Sequence, residues 1–354
     1  MKKIYLTGSI IIIVNLLNIN SSFAQDPRFT QSFSDPLRLN PAIMGANKDF
    51  KLGMNYRSQY GSVDGGYKTF SITGLYPLME KNGKNKLDIG VNVMSDKAGA
   101  YKTLDIALAL DYVKELSPNN NVCISVIGSR VQQTLDVNNQ IFDSQYLNGT
   151  FNASNPSNEL MLNAKVNHSD LGFGFMWFYN PDRKDAKVNA YLGVSGFHLN
   201  QPNQSLEGGT AKLPMRFDYQ AGIKVFSGRK LDICPNIRVN NQNGNMEPAV
   251  GLNMEYHMNN NFKFVVGGWY RAHDASAVVV GFDHKNYSIG YSYDVVNSAL
   301  NDATNGIRAS EITLAIKLRP TIKKKLTESK DGAVDENGIP LEQSSTYSNP
   351  FSSF

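Results

Sequence analysis

The chain has 354 residues, with 35 Lys and Arg against 31 Asp and Glu, and its two cysteines, Cys123 and Cys234, lie far apart. That excludes a disulfide framework and a cysteine metal cluster, and the lack of a basic stripe excludes nucleic acid as a partner. Past residue 24 no apolar run is long enough for a membrane helix, so any membrane-crossing structure must be a closed β-barrel, the other fold that satisfies every backbone group in lipid.

Residues 1–24 read as an export signal peptide. Lys2 and Lys3 precede an apolar stretch around Ile10 to Leu17, and Ser22-Phe23-Ala24 sets small residues ahead of a cut before Gln25. Taking Lys2 and Lys3 from the 35 leaves 33 basic against 31 acidic residues, a net charge of +2.

Residues 25–49 form a second unit. Its centre, "DPLRLNPAIMG" (Asp35 to Gly45), is apolar but broken by Pro36 and Pro41, and it does not alternate. Asp35 can cap a turn with Pro36 at its first position, and Asn40-Pro41 can start another. Such a piece cannot pair in a wall of strands. Leu37, Leu39, Ile43 and Met44 each gain about 1.5–3 kcal/mol on full burial, and the available place is the lumen of a barrel or its mouth.

Residues 50–319 alternate with period two, the signal of a strand with two unlike faces. In "KLDIGVNVM", Leu87, Ile89, Val91 and Val93 oppose Asp88, Gly90 and Asn92; in "EITLAIKL", Ile312, Leu314, Ile316 and Leu318 oppose Glu311, Thr313, Ala315 and Lys317. About fourteen such segments begin near Lys51, Tyr67, Lys86, Tyr101, Asn121, Ser169, Ala186, Leu213, Lys230, Met246, Asn261, Ala275, Tyr287 and Ile307. Their connectors fall into two interleaved classes. Short ones are rich in turn formers ("EKNGKN", "SPNN", "NPDRK", "SGR", "NNN", "HKN"); longer ones include "SQYGSVDGG", Asp136 to Asn167, Asn200 to Lys212 and "NSALNDATNG". An all-β fold follows: a transmembrane antiparallel barrel of about fourteen strands with an N-terminal luminal segment, short turns and both termini on the periplasmic side of an outer membrane.

Two features favour a membrane barrel over a soluble one. Charge sits at strand centres (Asp105, Asp232, Arg238, Glu255), which a narrow dry core rejects and a wide lumen keeps wet. Aromatic residues gather near segment ends, at Tyr56, Tyr60, Tyr67, Tyr112, Phe178, Tyr179, Phe226, Tyr256 and Tyr270, like interfacial girdles. Inner-face arginines such as Arg57, Arg130, Arg216 and Arg271, with Asp111, Asp218 and others, either line a selective pore or pair across the lumen. Residues 320–354 are polar and without period, a flexible periplasmic tail.

The search for chemistry finds little. His168, His198, His257, His273 and His284 stand at no zinc-binding spacing, and no nucleophile elbow or calcium loop is in register. "GFGF" at Gly172 lies within a strand, where glycine permits close approach. No catalytic residue, cofactor or metal is expected.

Several stretches carry a resemblance. "QDPRFTQSFSDPLRLNPAIMG", through Gln25, Asp26, Pro27, Phe29, Gln31, Pro36, Leu37, Leu39, Asn40, Pro41, Ala42 and Gly45, resembles the opening of the PorP/SprF family of outer-membrane proteins of the type IX secretion and gliding-motility machinery of Bacteroidetes. "NYRSQ" (Asn55, Tyr56, Arg57, Gln59), "DKAG" (Asp96, Gly99), "GWYRAHDA" (Tyr270, Arg271, Asp274), "IGYSYD" and "EITL" are similar to later family stretches. The tail after Arg319 departs from many members, which end soon after the last strand. The resemblance implies a non-enzymatic barrel that supports export or surface attachment of a secreted cargo, often an adhesin with a type IX C-terminal signal. Implied partners are outer-membrane lipid and periplasmic ring or peptidoglycan-linked components. The Asn-Pro-Ala signature also occurs in the N-terminal hatch of fatty-acid-transport barrels of fourteen strands. The alternative is therefore a channel for small hydrophobic solutes gated by the N-terminal segment.

Overall fold

A computed structural model gives the fold. It describes residues 26–47, 49–61, 66–81, 85–117, 119–136, 142–147, 150–152, 154–156, 165–179, 189–206, 208–227, 230–259, 261–272, 274–297, 308–318, 327–329 and 332–334. The expected signal peptide and most of the expected tail lie outside the described residues.

Fourteen long strands form the wall: β1 (Phe50–Gln59), β2 (Tyr67–Lys81), β3 (Asn85–Ala98), β4 (Tyr101–Ser117), β5 (Asn120–Leu135), β6 (Lys165–Tyr179), β7 (Ala190–Phe197), β8 (Arg216–Ile223), β9 (Leu231–Gln242), β10 (Asn245–His257), β11 (Phe262–Arg271), β12 (Ala275–His284), β13 (Tyr287–Val296) and β14 (Arg308–Leu318). Each pairs antiparallel with the next, and β14 returns to β1 in a register from Phe50↔Leu318 to Gln59↔Ala309, which closes the ring. Closure leaves no strand edge unpaired.

The sequence explains the wall through β4. Leu104, Ile106, Leu108, Leu110 and Tyr112 point outward, and Leu108 is 52% exposed; Asp105, Ala107, Ala109, Asp111 and Val113 point inward, and Asp111 is 1% exposed. Large apolar side chains on the outside and polar or small ones on the inside reverse the pattern of a soluble domain. That is the lipid-facing belt of a membrane barrel. Tyr56, Tyr67, Tyr112, Tyr256 and Tyr270 lie exposed on the outer face. Phe178 does not belong with them. It shares the inward parity of Met176, and both are buried in the lumen. The side chain of Phe226 lies outside the described residues.

We call the rim where β1 begins and β14 ends the lower rim. The upper rim carries the three longest connections, 136–164, 198–215 and 297–307, and also 60–66, but it has three tight ones, 99–100, 243–244 and 272–274, while the lower rim has a long one, 180–189. The two classes of connector are therefore less cleanly divided than expected. Asn243 (φ 52°) and Gly244 (φ 80°) both take left-handed backbone, the conformation of a tight Asn-Gly hairpin turn. A short exposed hairpin, Tyr146–Leu147 with Thr150–Phe151, stands in the 136–164 connection.

Arg130, expected on the inner face, has the outward parity of its strand and is exposed. The strand-centre charges Asp105, Asp232, Arg238 and Glu255 do point inward and are not wet. Residues 26–47 fill the lumen, and these charges are buried against that segment or against each other. The chain there makes a 3-10 turn (Ser32–Ser34), one turn of α-helix (Pro36–Leu39) and a second 3-10 stretch (Pro41–Ala46). This segment is the core of the molecule. Leu39, Ala42, Ile43 and Ala46 pack with Val113, Cys123, Met176, Phe178 and Tyr191, and Leu37 and Met44 with Leu75, Ala107, Ala109, Ile127 and Phe197. A third cluster, on β10 to β12, receives Phe33. Both cysteines are free and buried.

Candidate functional site

The segment crosses the lumen from rim to rim. Asp26 meets His198 and Arg216 beside the upper connection 198–215; Lys86, near the lower rim, donates to the carbonyl of Asn47, three residues before β1. The expectation set both termini at one rim. The last wall strand ends at the lower rim, but Asp26 lies at the upper one.

The upper part of the segment is clasped by charge. Thr30 N and Gln31 N donate to the Glu311 carboxylate at 2.8 and 2.9 Å. Arg57 bridges Asp294 (2.8 Å) and Glu311 (3.3 Å) and donates to Thr30 Oγ1 (2.9 Å). Arg271 donates to the same Thr30 oxygen (2.9 Å), to Asp294 (2.8 Å) and to Asp274 (2.6 Å). Each carboxylate is therefore paired with at least one arginine through charge-assisted hydrogen bonds.

The lower part is held by fit. Asn40 stands between the two helical pieces. Its Oδ1 accepts from Ala42 N at 3.0 Å, capping the second piece, while its Nδ2 donates to the Phe175 carbonyl (3.1 Å) and Gln220 Oε1 (3.3 Å). Ser195 Oγ donates to the Leu39 carbonyl at 2.6 Å. A Cβ on Gly174 would come within 2.8 Å of Ala42 N, and one on Gly193 within 2.9 Å of Asn40 Nδ2. These glycines make the cradle in which Asn40 lies. Gly45 is the reverse case, a glycine of the segment pressed against Cys123, Asp111 and Val113 of the wall.

Of the residues singled out in the sequence, Pro36, Leu37, Leu39, Asn40, Pro41, Ala42 and Gly45 are all buried in the lumen. Asp35 stands at the cap position of the helical turn, but its side chain caps nothing. It accepts instead from Ser71, Thr73 and Asn92 on the wall. Asn55 accepts from Ser34, and Gln59 from Arg57. Arg57, Arg271 and Asp274 form the clasp. Tyr56 and Tyr270 face outward, Asp96 pairs with Thr69 at 2.6 Å, and Gly99 (φ 60°) makes an upper turn; these four take no part in holding the segment. Sequence reasoning missed Thr30 as the point where the segment is held, and Gln220, Ser195, Gly174 and Gly193 as its holders. The "GFGF" stretch was the one visible signal.

One titrating pair sits above the wall strands. His198, just past β7, lies 2.7 Å from both Asp26 and Asp170. Burial alone would lower its pKa, but the Asp26 carboxylate and the hydrogen bonds to Asp170 and Asp26 raise it to about 9. Burial would raise Asp26 in turn, and His198 and Arg216 instead hold it well below the usual carboxylate range. Near the lower rim, Asp232, Glu255 and His257 come within 4.8 Å of one another. Lys224 and Lys263 already balance the two carboxylates at 2.8 and 3.1 Å.

A family model for the type IX secretion system membrane protein PorP/SprF matches residues 21–316. The chain belongs to the PorP/SprF family. No curated protein matches it in sequence. Among solved structures it is similar to the toluene transporter TbuX of Ralstonia pickettii, at 11% identity over 83% of this chain and 96% of that one, TM-score 0.50. It is also similar to a deletion mutant of the monoaromatic hydrocarbon channel TodX, at 10% identity over 80% and 93%, TM-score 0.51. These likenesses show the barrel fold, and with the family they set this PorP/SprF chain in the outer membrane. They also give the clasp its context. Four of the stretches that carry the PorP/SprF resemblance, far apart in sequence, supply Arg57, Arg271 with Asp274, Asp294 and Glu311, and all meet around Thr30.

Proposed function

We propose that this PorP/SprF protein is a non-enzymatic outer-membrane platform of the type IX secretion system, supporting export or surface attachment of a specific cargo such as an adhesin. The observation that carries the reading is the filled lumen. A segment tied from rim to rim by buried ion pairs and apolar contacts suits a support whose working surfaces are its rims and outer wall. The lower rim faces the periplasm and its ring or peptidoglycan-linked components. The upper rim, with Asp26, faces outward to the cargo.

The competing role is a solute channel gated by the segment, favoured by the hatch-like fill and the fold shared with hydrocarbon channels. Deleting the gene separates the two. Loss of one surface protein with unchanged lipid uptake supports the platform; an unchanged surface set with lost uptake supports the channel. Orientation has its own test. Ser154→Cys in the upper connection should react with an impermeant maleimide on whole cells, and Lys285→Cys at the lower rim should not; the reverse result inverts the barrel.

A further inference from the structure

Between the segment and the wall lies a cavity of about 30 Å³, bordered by Arg28, Ser32, Asp35, Arg38, Asp218 and Arg238 among others. A buried water needs roughly 10–15 Å³ by the same measure, so the space suits a small polyatomic ion. Its lining is unbalanced in one respect. The Asp35 carboxylate accepts from Ser71, Thr73 and Asn92, and Asp218 from Arg216 and Asn240, so both have their bonds made. The donors do not. Arg28 uses its two terminal nitrogens on Glu247 and Asn240 and leaves Nε buried without an acceptor. Arg38 spends Nε on Asn92 and Nη1 on Asp105 and leaves Nη2 in the same condition. The Ser32 hydroxyl is likewise buried and unmatched.

Arg238 completes the set. It is 8% exposed, on the inner face of β9, and among the described residues it makes no hydrogen bond or ion pair. Asp218 and Glu247 act on its charge only through space, and the centre of the Trp269 ring lies 5.6 Å from the guanidinium carbon, a cation–π contact. A buried charge without a partner is costly, and an arginine fork matches the two oxygens of a carboxylate or phosphate.

We propose that this cavity is a binding site for a small oxyanion, held in the fork of Arg238 on the wall and by Arg28 Nε, Arg38 Nη2 and Ser32 Oγ of the segment. The ion is then a staple between plug and wall, independent of which cargo the barrel serves. Nothing covalent happens there.

The chain has two tryptophans, Trp177 and Trp269, so Trp177→Phe leaves Trp269 as a sole reporter beside the site. The full-length protein in detergent is titrated with inorganic phosphate, and separately with acetate, at ionic strength held constant by a sulfonate too bulky for the cavity. A saturable change in Trp269 emission is expected with at least one ion. Arg238→Gln should weaken it at least about tenfold, as befits loss of a charged hydrogen bond. Ser32→Ala, which leaves the wall intact, should weaken it several-fold and covers the case in which Arg238→Gln does not fold. No saturable signal with either ion overturns the proposal. So does a signal of equal midpoint in the Ser32→Ala and Arg238→Gln proteins and the parent, which would be a general salt effect.

Discussion

At the lower end of the lumen, Leu39, Ile43 and Ala46 sit among Val113, Cys123, Met176 and Phe178; at the upper end, Asp26, Thr30 and Gln31 sit among Arg57, Arg216, Arg271, Asp294 and Glu311. The same short segment is thus held by two kinds of force. Apolar contact is non-directional and carries no titratable group. The clasp is directional, and each of its bonds depends on a partner's protonation and exact position. The lower half is built to stay, and the upper half is where a signal can act.

The comparison breaks hardest at the bottom. Ile43→Asp sets an unpaired carboxylate in the apolar cluster, a change of several kcal/mol that should expel the foot. Purified protein should then pass more current in a planar bilayer; a folded variant with unchanged conductance would mean the foot does not close the lumen. At the top, Arg57→Ala leaves Asp294 with half its compensation and Glu311 with none from an arginine. About 3–5 kcal/mol is expected, read as a lower denaturation midpoint in detergent, and adding Glu311→Gln should recover part of it. Gly174→Ala intrudes on the Asn40 cradle, where the nearest backbone atom cannot swing away, and should cost about 1–3 kcal/mol. Gly128→Ala, whose new methyl would meet nothing closer than 3.7 Å, is the control and should be near neutral.

The smallest effect is on pH and acts in the upper half through His198 and Asp26. His198 keeps its proton in the folded protein up to about 9 and would lose it near 6.5 unfolded. Its contribution is therefore full below 6.5 and gone above about 9. Asp26, shifted down, contributes above its ordinary pKa of 3.8 and loses that contribution as the pH falls further. The upper grip is firmest between roughly pH 4 and 6.5. Trypsin cleavage after Arg28 should accelerate between pH 7 and 9.5, and His198→Gln should flatten that profile. A profile unchanged by the substitution would remove His198 from the grip.

Much of the wall was legible. Expected strand starts at Tyr67, Tyr101, Ala275 and Tyr287 coincide with the observed ones, because turn formers cut the alternation sharply there. The starts read at Ser169, Ala186 and Leu213 are off by three or four residues; each lies beside a long connection where nothing ends the pattern abruptly. Phe178 was misread because aromatic content at a strand end was weighed above parity, and parity sets the face. The clasp was not legible. Arg57 and Glu311 face each other across β1 and β14, but Arg271 reaches Asp294 over an intervening strand. Such a meeting depends on the stagger around the whole ring and on a segment lying inside it.

The ring also has a seam. Its first and last strands pair Phe50 with Leu318, 268 positions apart (318 minus 50), the longest loop closure in the wall. The luminal segment runs straight into one of these strands and is gripped by a carboxylate on the other. Whatever steadies the segment therefore steadies that junction, by the linkage that lets a ligand stabilise the state it binds. Emptying the lumen takes a brace away from the meeting of the beginning and the end of the chain, and filling it puts that brace back.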